Sequence, residues 1–297
     1  MNRLLWPVEQ ATRPDRELPG FSRYENLLLD LHGDPVHAGL VVFSDGNHHM
    51  ALAETLRAFS STCPDVGEIF YTTTPPGIAT EMLRAGGLGM GNLRIRLTPH
   101  VFISPPAVLA QLAEEGLVQA CRPFMAGRGV AMLVKKGNPR DIRGIDDLLR
   151  PEVRLFLSNP VTEKVSYKIY TDCLRRLAQH EGKLPGFLGP DSGQFSPGKL
   201  VYGNLIHHRE APQAIMDGKA DVAVVFYHLA LRYQRVFPGA FDFIQLDGST
   251  GSQVCDRSLI SCGLVGNGGK WGQALMHFLM SDAVTQIYEY HGLTRAK

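Results

Sequence analysis

The side chains whose type and spacing suggest chemistry gather at chain turns. Ser44, Asp45, Asn47, His48 and His49 lie within 41-VVFSDGNHHMALAETLRAF-59, Thr73 and Thr74 within 68-EIFYTTTPPG-77, and Ser104 within 100-HVFISPP-106. In each stretch an apolar β-like run stops at hydroxyls and a helical pattern starts directly afterwards. A helix N-terminus carries unpaired N–H donors and about +0.5 of partial charge, so a strand-to-helix turn of this kind suits an anion. The histidine pairs His48-His49 and His207-His208 add donors, and imidazolium donors would favour anion binding at lower pH. Imidazole also suits zinc, nickel and copper, so His48 or His49 with His207 or His208 leaves a divalent-metal site open. Adjacent histidines point apart on a helix, which leaves at most one of each pair for a shared site.

These turns need a scaffold, and the pattern of elements supplies one. In 41–59, Asn47 reads as the helix cap, and Leu52, Leu56 and Phe59 form a buriable stripe. Strand 40–43, strand 68–74 with helix 78–86, and strand 100–106 with helix 107–118 repeat the same unit. Further strands are expected at 129–139, 153–157, 221–227, 241–246 and 258–266. Helices are expected at 145–149, at 164–177, from just after His208 to about Asp217, and over 271–292 with a break near Ser281. A short helix is expected at 21–32, and 86-GGLGMG-91 and 181–200 read as loops. Alternating strands and helices indicate an α/β protein with doubly wound parallel sheets, whose ligand crevices lie at the carboxyl ends of the strands.

At 297 residues the chain exceeds one ordinary core, so two domains or one large α/β domain are expected. Thirty basic residues against 29 acidic give a net charge of +1, which argues against a nucleic-acid or anionic-membrane partner. No apolar run is long enough to span a bilayer. The start, MNRLLWPVEQATRPDRELPG, has too short an apolar run for a secretory leader, so either the chain is cytoplasmic or a leader is missing. Cys63, Cys121, Cys173, Cys255 and Cys262 read as reduced structural thiols, with a Cys255–Cys262 pair as the alternative.

Enzyme signatures are missing. There is no G-x-S-x-G, H-E-x-x-H or Walker A pattern, and Gly268-Gly269-Lys270 is followed by Trp271. The glycine run at 86–91 follows a helix, the wrong context for a dinucleotide fingerprint. Asp45 with His208 is the one acid–base pair that a catalytic reading on the same fold could use.

The order of signals resembles the type II periplasmic binding proteins, specifically the molybdate/tungstate-binding proteins of ABC importers. The resemblance is carried by Phe43-Ser44 before a helix, Val101-Phe102-Ile103-Ser104, Gly137-Asn138-Pro139, Asp146-Asp147-Leu148, Asn159-Pro160, Gly218-Lys219-Ala220-Asp221, and Phe278-Leu279 with Gln286-Ile287-Tyr288. It implies two lobes, each a mainly parallel sheet flanked by helices, with the ligand cleft between them. Lobe 1 would be 36–130 plus 235–297, lobe 2 would be 131–234, and 1–35 an N-terminal extension. It further implies a monomer that captures a tetrahedral oxyanion without catalysis or cofactor, partnered by the membrane component of an ABC importer and located in the periplasm or outside the cell. An intracellular sensor is the alternative. Carried over residue by residue, Ser44 and Asp45 fall at the first oxyanion turn, Thr73, Thr74 and Gly77 near the second, and Ser104 at a neighbouring contact. Val165 and Ser166 match a helix-start contact, His208 a backbone N–H donor, and Phe226 or Tyr227 a tyrosine contact. Asn47-His48-His49 and His207-His208-Arg209-Glu210 depart from the family pattern.

Overall fold

The computed structural model describes residues 30–90, 93–182, 198–204, 206–246, 255 and 257–296. Among these, 30–126 with 259–296 form one unit and 127–258 form another. The chain therefore passes from the first unit to the second after Ala126 and returns at Leu259.

The first unit begins with β1 (Leu31–His32), β2 (Ala38–Ser44), α1 (His49–Thr62), β3 (Glu68–Thr72), α2 (Pro76–Arg84) and the hairpin β4 (Gly87–Met90) and β5 (Leu93–Arg96). It continues with β6 (Val101–Ser104), α3 (Pro106–Glu114) and β7 (Val118–Ala126). The second unit holds β8 (Val130–Lys135), a 3-10 turn at Ile145–Leu149, β9 (Leu155–Leu157), α4 (Lys164–Glu181), β10 (Leu200–Tyr202), α5 (His207–Met216), β11 (Val222–Phe226), α6 (Tyr227–Val236) and β12 (Phe241–Gln245). After the return come β13 (Leu259–Val265), α7 (Gly269–Leu279), α8 (Asp282–Tyr290) and β14 (Thr294–Arg295).

Seven strands of the first unit form one sheet in the order β1-β3-β2-β6-β13-β7-β14. Its parallel centre is β3-β2-β6, and the flanking pairs are antiparallel. Strand β2 shows why the sheet is covered on both faces. Leu40 and Val42 join the apolar cluster of α1, α7 and α8, while Val41 and Phe43 join that of α2 and α3. Successive strand side chains point to opposite faces, so a continuous apolar run must be buried twice. Leu52, Leu56 and Phe59 of α1 are buried as their spacing predicts, each side chain contributing roughly 1.5–3 kcal/mol. In the second unit the sheet order is β10-β9-β11-β8-β12, with β10-β9-β11 parallel and β8 antiparallel to both β11 and β12.

Several expectations need correction. Residues 21–29 of the expected first helix lie outside the described residues, as do 1–29 of the N-terminal extension, but Leu31–His32 form a strand against β3. Of the glycine run expected as a loop, Gly87–Met90 form a hairpin strand, with Gly87, at φ +156, so close to Ile95 that a Cβ would meet its carbonyl oxygen at 2.0 Å. Strand β12 was expected in the lobe of 235–297, yet it pairs with β8, which moves the boundaries to 126/127 and 258/259. Strands β7 and β10 and helix α6 were not anticipated; β7 is exposed over much of its length and lacks a clean apolar period. Of the expected loop at 181–200, residues 183–197 lie outside the described residues. Among the cysteines, Cys173 and Cys255 form a disulfide, while Cys63, Cys121 and Cys262 are free. Neither the all-reduced expectation nor a Cys255–Cys262 pair holds.

Candidate functional site

Because β3, β2 and β6 are parallel, their carboxyl ends share one edge of the seven-stranded sheet. Strand β2 delivers Ser44 and Asp45 there, β3 delivers Thr72, Thr73 and Thr74, and β6 delivers Ser104, all buried. Each strand feeds a helix, and none of α1, α2 and α3 has a side-chain hydrogen bond at its N-cap. Proline occupies the first turn of α2 and α3, where a missing N–H costs nothing. The first turn of each helix thus keeps its backbone donors clear of capping side chains.

Hydrogen bonds fix this edge in detail. Ser44 N–H donates to Thr72 Oγ1 (3.1 Å), and that hydroxyl donates to the Ser44 carbonyl (3.2 Å). Asp45 N–H reaches the Ile103 carbonyl at 3.3 Å. Asn47 is not the helix cap: His48 holds that position, and Asn47 N–H donates to Asp45 Oδ1 (3.0 Å), so the Asp45 side chain closes the turn. Gly46 passes so close to β3 that a Cβ would meet the Thr73 carbonyl oxygen at 2.4 Å. Thr73 Oγ1 pairs with His32 Nε2 at 2.9 Å.

The histidines are committed inside the fold. His48 is buried, with Nε2 3.2 Å from Ser44 Oγ and Nδ1 2.8 Å from the Tyr288 hydroxyl of α8. His49 turns Nδ1 to the Gly46 carbonyl at 3.0 Å. His207 is also buried, stacked on Phe156 and beside Tyr170. Its ring nitrogens make no hydrogen bond of ordinary geometry, and burial drives its pKa down to about 3 against a weak opposing pull from the Phe156 backbone. No group of three His, Cys, Asp or Glu side chains among the described residues is placed to hold a metal ion.

Burial likewise raises the Asp45 pKa from 3.8 to about 6, partly offset by the Asn47 N–H. Apart from Asp45 and the two imidazoles His32 and His48, the side-chain polar groups that β2, β3 and β6 bring to this edge are hydroxyls, and two hydroxyls here have no partner among the described residues. Ser104 Oγ and Ser261 Oγ, on strands β6 and β13 that pair in register at these residues, are buried and unbonded among the described residues. A buried hydroxyl without a hydrogen bond costs about 1–3 kcal/mol, so such groups call for an explanation.

In the second unit, β9 ends at Ser158, whose buried hydroxyl is also without a partner among the described residues. Asn159 follows and folds the chain into α4 by accepting from Val161 N–H (2.8 Å) and Thr162 N–H (3.3 Å). Val165 and Ser166 lie in the first turn of α4, Val165 exposed and Ser166 half-buried. His207 and His208 are the first two residues of α5 and do not precede it; there His207 N–H donates to Glu163 Oε2 at 3.0 Å. The His208 carbonyl accepts from the Tyr233 hydroxyl. Tyr227 opens α6 with the Arg128 guanidinium 4.6 Å above its ring.

Ser44, Asp45, Asn47, His48, Thr73, Thr74 and Ser104 therefore collect at one sheet edge of the first unit. Val165, Ser166, His207, His208 and Tyr227 belong to the second unit, as does the His208 of the expected Asp45–His208 pair. Sequence reasoning missed Thr72, Ser158, Ser261 and Tyr288. Ser261 and Ser158 had a readable signal: each is a lone hydroxyl within or just after an apolar strand.

Solved structures that share this fold include three with different bound solutes in their names. The sulfate-binding protein SubI from Mycobacterium tuberculosis H37Rv is 17% identical at a TM-score of 0.65, covering 88% of each chain. The periplasmic molybdate-binding protein of Azotobacter vinelandii is 13% identical at a TM-score of 0.59, covering 87% of this chain and 100% of that one. Iron-bound HitA from Pseudomonas aeruginosa is 12% identical at a TM-score of 0.54, covering 84% and 83%. No curated protein matches the sequence. Residues 40–294 match the family described as bacterial extracellular solute-binding protein, a family of binding proteins and not of enzymes. The chain belongs to that family of bacterial extracellular solute-binding proteins.

Proposed function

We propose that this solute-binding protein captures a small tetrahedral oxyanion of the molybdate or tungstate type, for uptake through an ABC importer. The observation that carries the reading is the pair of buried, unbonded hydroxyls Ser104 and Ser261 at the strand edge where three helices begin without side-chain caps. Neutral donors held in a dry site can coordinate an oxyanion without a counter-charge, because hydrogen bonds to a charged acceptor are about twice as strong as neutral ones. The molybdate- and sulfate-binding proteins of the same fold bring the ligand class to mind, and the hydroxyl-lined edge supports it here. The divalent-metal alternative is weakened because the ring nitrogens it needs at His48 are bonded to Ser44 and Tyr288. Enclosure of His207 among aromatic rings tells against it too.

We place the working site outside the cytoplasm. The Cys173–Cys255 disulfide fits an oxidising compartment, and the family is extracellular. No helix among the described residues is long and apolar enough to cross a membrane.

A thermal-shift panel of molybdate, tungstate, sulfate, phosphate, zinc and ferric iron tests the reading. A ligand at a hundredfold excess over its dissociation constant adds ~2.7 kcal/mol to stability, a rise of several degrees. The reading expects that rise with at least one tetrahedral oxyanion. A rise confined to the metals, abolished by changing His48, His49, His207 and His208 together to alanine, overturns it.

A further inference from the structure

At the end of the first unit's sheet opposite the hydroxyl edge, a groove of about 260 Å³ lies between α1 and the start of β3. Glu68 opens β3 and Thr73 follows its last residue, so the groove is roughly 16 Å along the strand from the threonines. Ala53, Leu56, Arg57 and Ser60 line one wall, at a spacing that puts all four on one face of α1. Glu68 and Ile69 line the other. Arg57 and Glu68 are the charged side chains of this lining, one on each wall, and neither makes an ion pair among the described residues. Arg57 Nε donates to the Ala53 carbonyl at 3.2 Å, which holds the side chain along α1 and leaves the rest of the guanidinium for the groove. The hydroxyls of Ser61 and Thr62 fold back onto the Arg57 and Ala58 carbonyls, at 3.0 and 2.7 Å, whereas the Ser60 hydroxyl has no such bond among the described residues. Two residues beyond Ser60, α1 ends without a basic residue in its last turn, so the partial negative charge of that terminus has no cation from its own helix. Leu56 is buried and Ile69 half-buried, so the floor between the charges is apolar.

One positive wall, one negative wall and an apolar floor suit neither a bare anion nor a bare cation, since each would meet a like charge as well as its complement. We infer that this groove binds a small zwitterion, a free α-amino acid with an apolar side chain. Arg57 and the Ser60 hydroxyl take its carboxylate, Glu68 and the carboxyl end of α1 its ammonium group, and Leu56 and Ile69 its side chain. A guanidinium can grip a carboxylate through two parallel hydrogen bonds, which adds orientation to attraction. Every lining residue belongs to the first unit and none to its hydroxyl edge, so the inference does not rest on the oxyanion reading.

Calorimetric titration of the full chain with L-leucine at low ionic strength provides the test. N-acetyl-leucine lacks the ammonium charge, leucinamide lacks the carboxylate and glycine lacks the apolar side chain. L-leucine should bind at least tenfold more tightly than either charge-deficient arm, and more tightly than glycine. Arg57→Gln and Glu68→Gln should each weaken it at least tenfold with the thermal midpoint unchanged, because neither side chain is paired within the fold. Arg57→Lys, which keeps the charge, should lose less affinity than Arg57→Gln, and Ser104→Ala should lose none. No binding of L-leucine at millimolar concentration, or equal binding of N-acetyl-leucine or leucinamide, would overturn the site. Indifference to both Gln variants would overturn it too, because the leucine would then be held elsewhere. None of these results depends on whether molybdate itself binds.

Discussion

His48 Nδ1 lies 2.8 Å from the Tyr288 hydroxyl, and both side chains are fully buried. Ser44 Oγ has a single proton, which it donates to the Asp45 carbonyl at 3.1 Å, so it accepts from His48 Nε2–H, and Nδ1 accepts from Tyr288 O–H. This assignment follows from donor counting in the network. A neutral chain of three hydrogen bonds thus ties the hydroxyl-lined turn after β2 to α8, 240 residues away.

Removing one end of that chain leaves the other unsatisfied. Tyr288→Phe should cost about 1–3 kcal/mol, and His48→Ala at least as much because a cavity is added. The double variant should lose less than the sum of the two. Urea unfolding of the four proteins measures this; strict additivity would show that the contact contributes nothing.

Asp45 makes stability depend on pH in a stated direction. Its folded pKa, about 6, lies above the unfolded value of 3.8, so the carboxyl carries no penalty below about pH 3.8 and a growing one as pH rises through 6. Asp45→Asn keeps the acceptor for Asn47 N–H and removes the charge. It should therefore match the wild type near pH 4 and exceed it by roughly 3 kcal/mol above pH 7. A stability difference that stays flat across that range would contradict the buried-carboxylate picture. The same charge opposes an anion at this edge, so oxyanion affinity should rise as pH falls through 6.

Ser104→Ala and Ser261→Ala separate binding from folding. Each removes a buried hydroxyl that has no partner, so stability should stay within about 1 kcal/mol of the wild type or rise. Oxyanion affinity should fall by ~1.5–3 kcal/mol per lost charge-assisted bond, roughly 10- to 150-fold. Denaturation curves beside binding curves give both quantities. Loss of stability with affinity intact would reverse the assignment.

What could be read from the sequence was the local grammar of strand, hydroxyl turn and helix. It gave α1, α2 and α3, and with them Ser44, Thr73, Thr74 and Ser104 at a shared edge. The split of the last helix at Ser281 was also legible, since Ser281 Oγ accepts from Val284 N–H as an N-cap. Long-range partners were not legible. Nothing near His48 announces Tyr288, nothing near Cys173 announces Cys255, and β12 pairs with β8 through a register that only tertiary structure sets. The histidines' partners were hidden for the same reason: the sequence leaves capping, anion donation and metal ligation all open, whereas His48 is hydrogen-bonded to Ser44 and Tyr288 and His207 is packed on Phe156 and Tyr170.

The Cys173–Cys255 bond closes a long loop, with a sequence separation of 82 residues. Its reduction should destabilise the 127–258 unit by about 2–5 kcal/mol. Differential scanning calorimetry with and without reductant tests this; identical traces would contradict it.

Isothermal titration calorimetry with molybdate, on the wild type and on the Ser104→Ala, Ser261→Ala double variant, is the decisive measurement. The oxyanion reading predicts saturable one-site binding to the wild type, weakened at least tenfold in a variant whose thermal midpoint is unchanged or higher. It would be contradicted if molybdate, tungstate, sulfate and phosphate all failed to bind the wild type, or if binding were the same in the double variant.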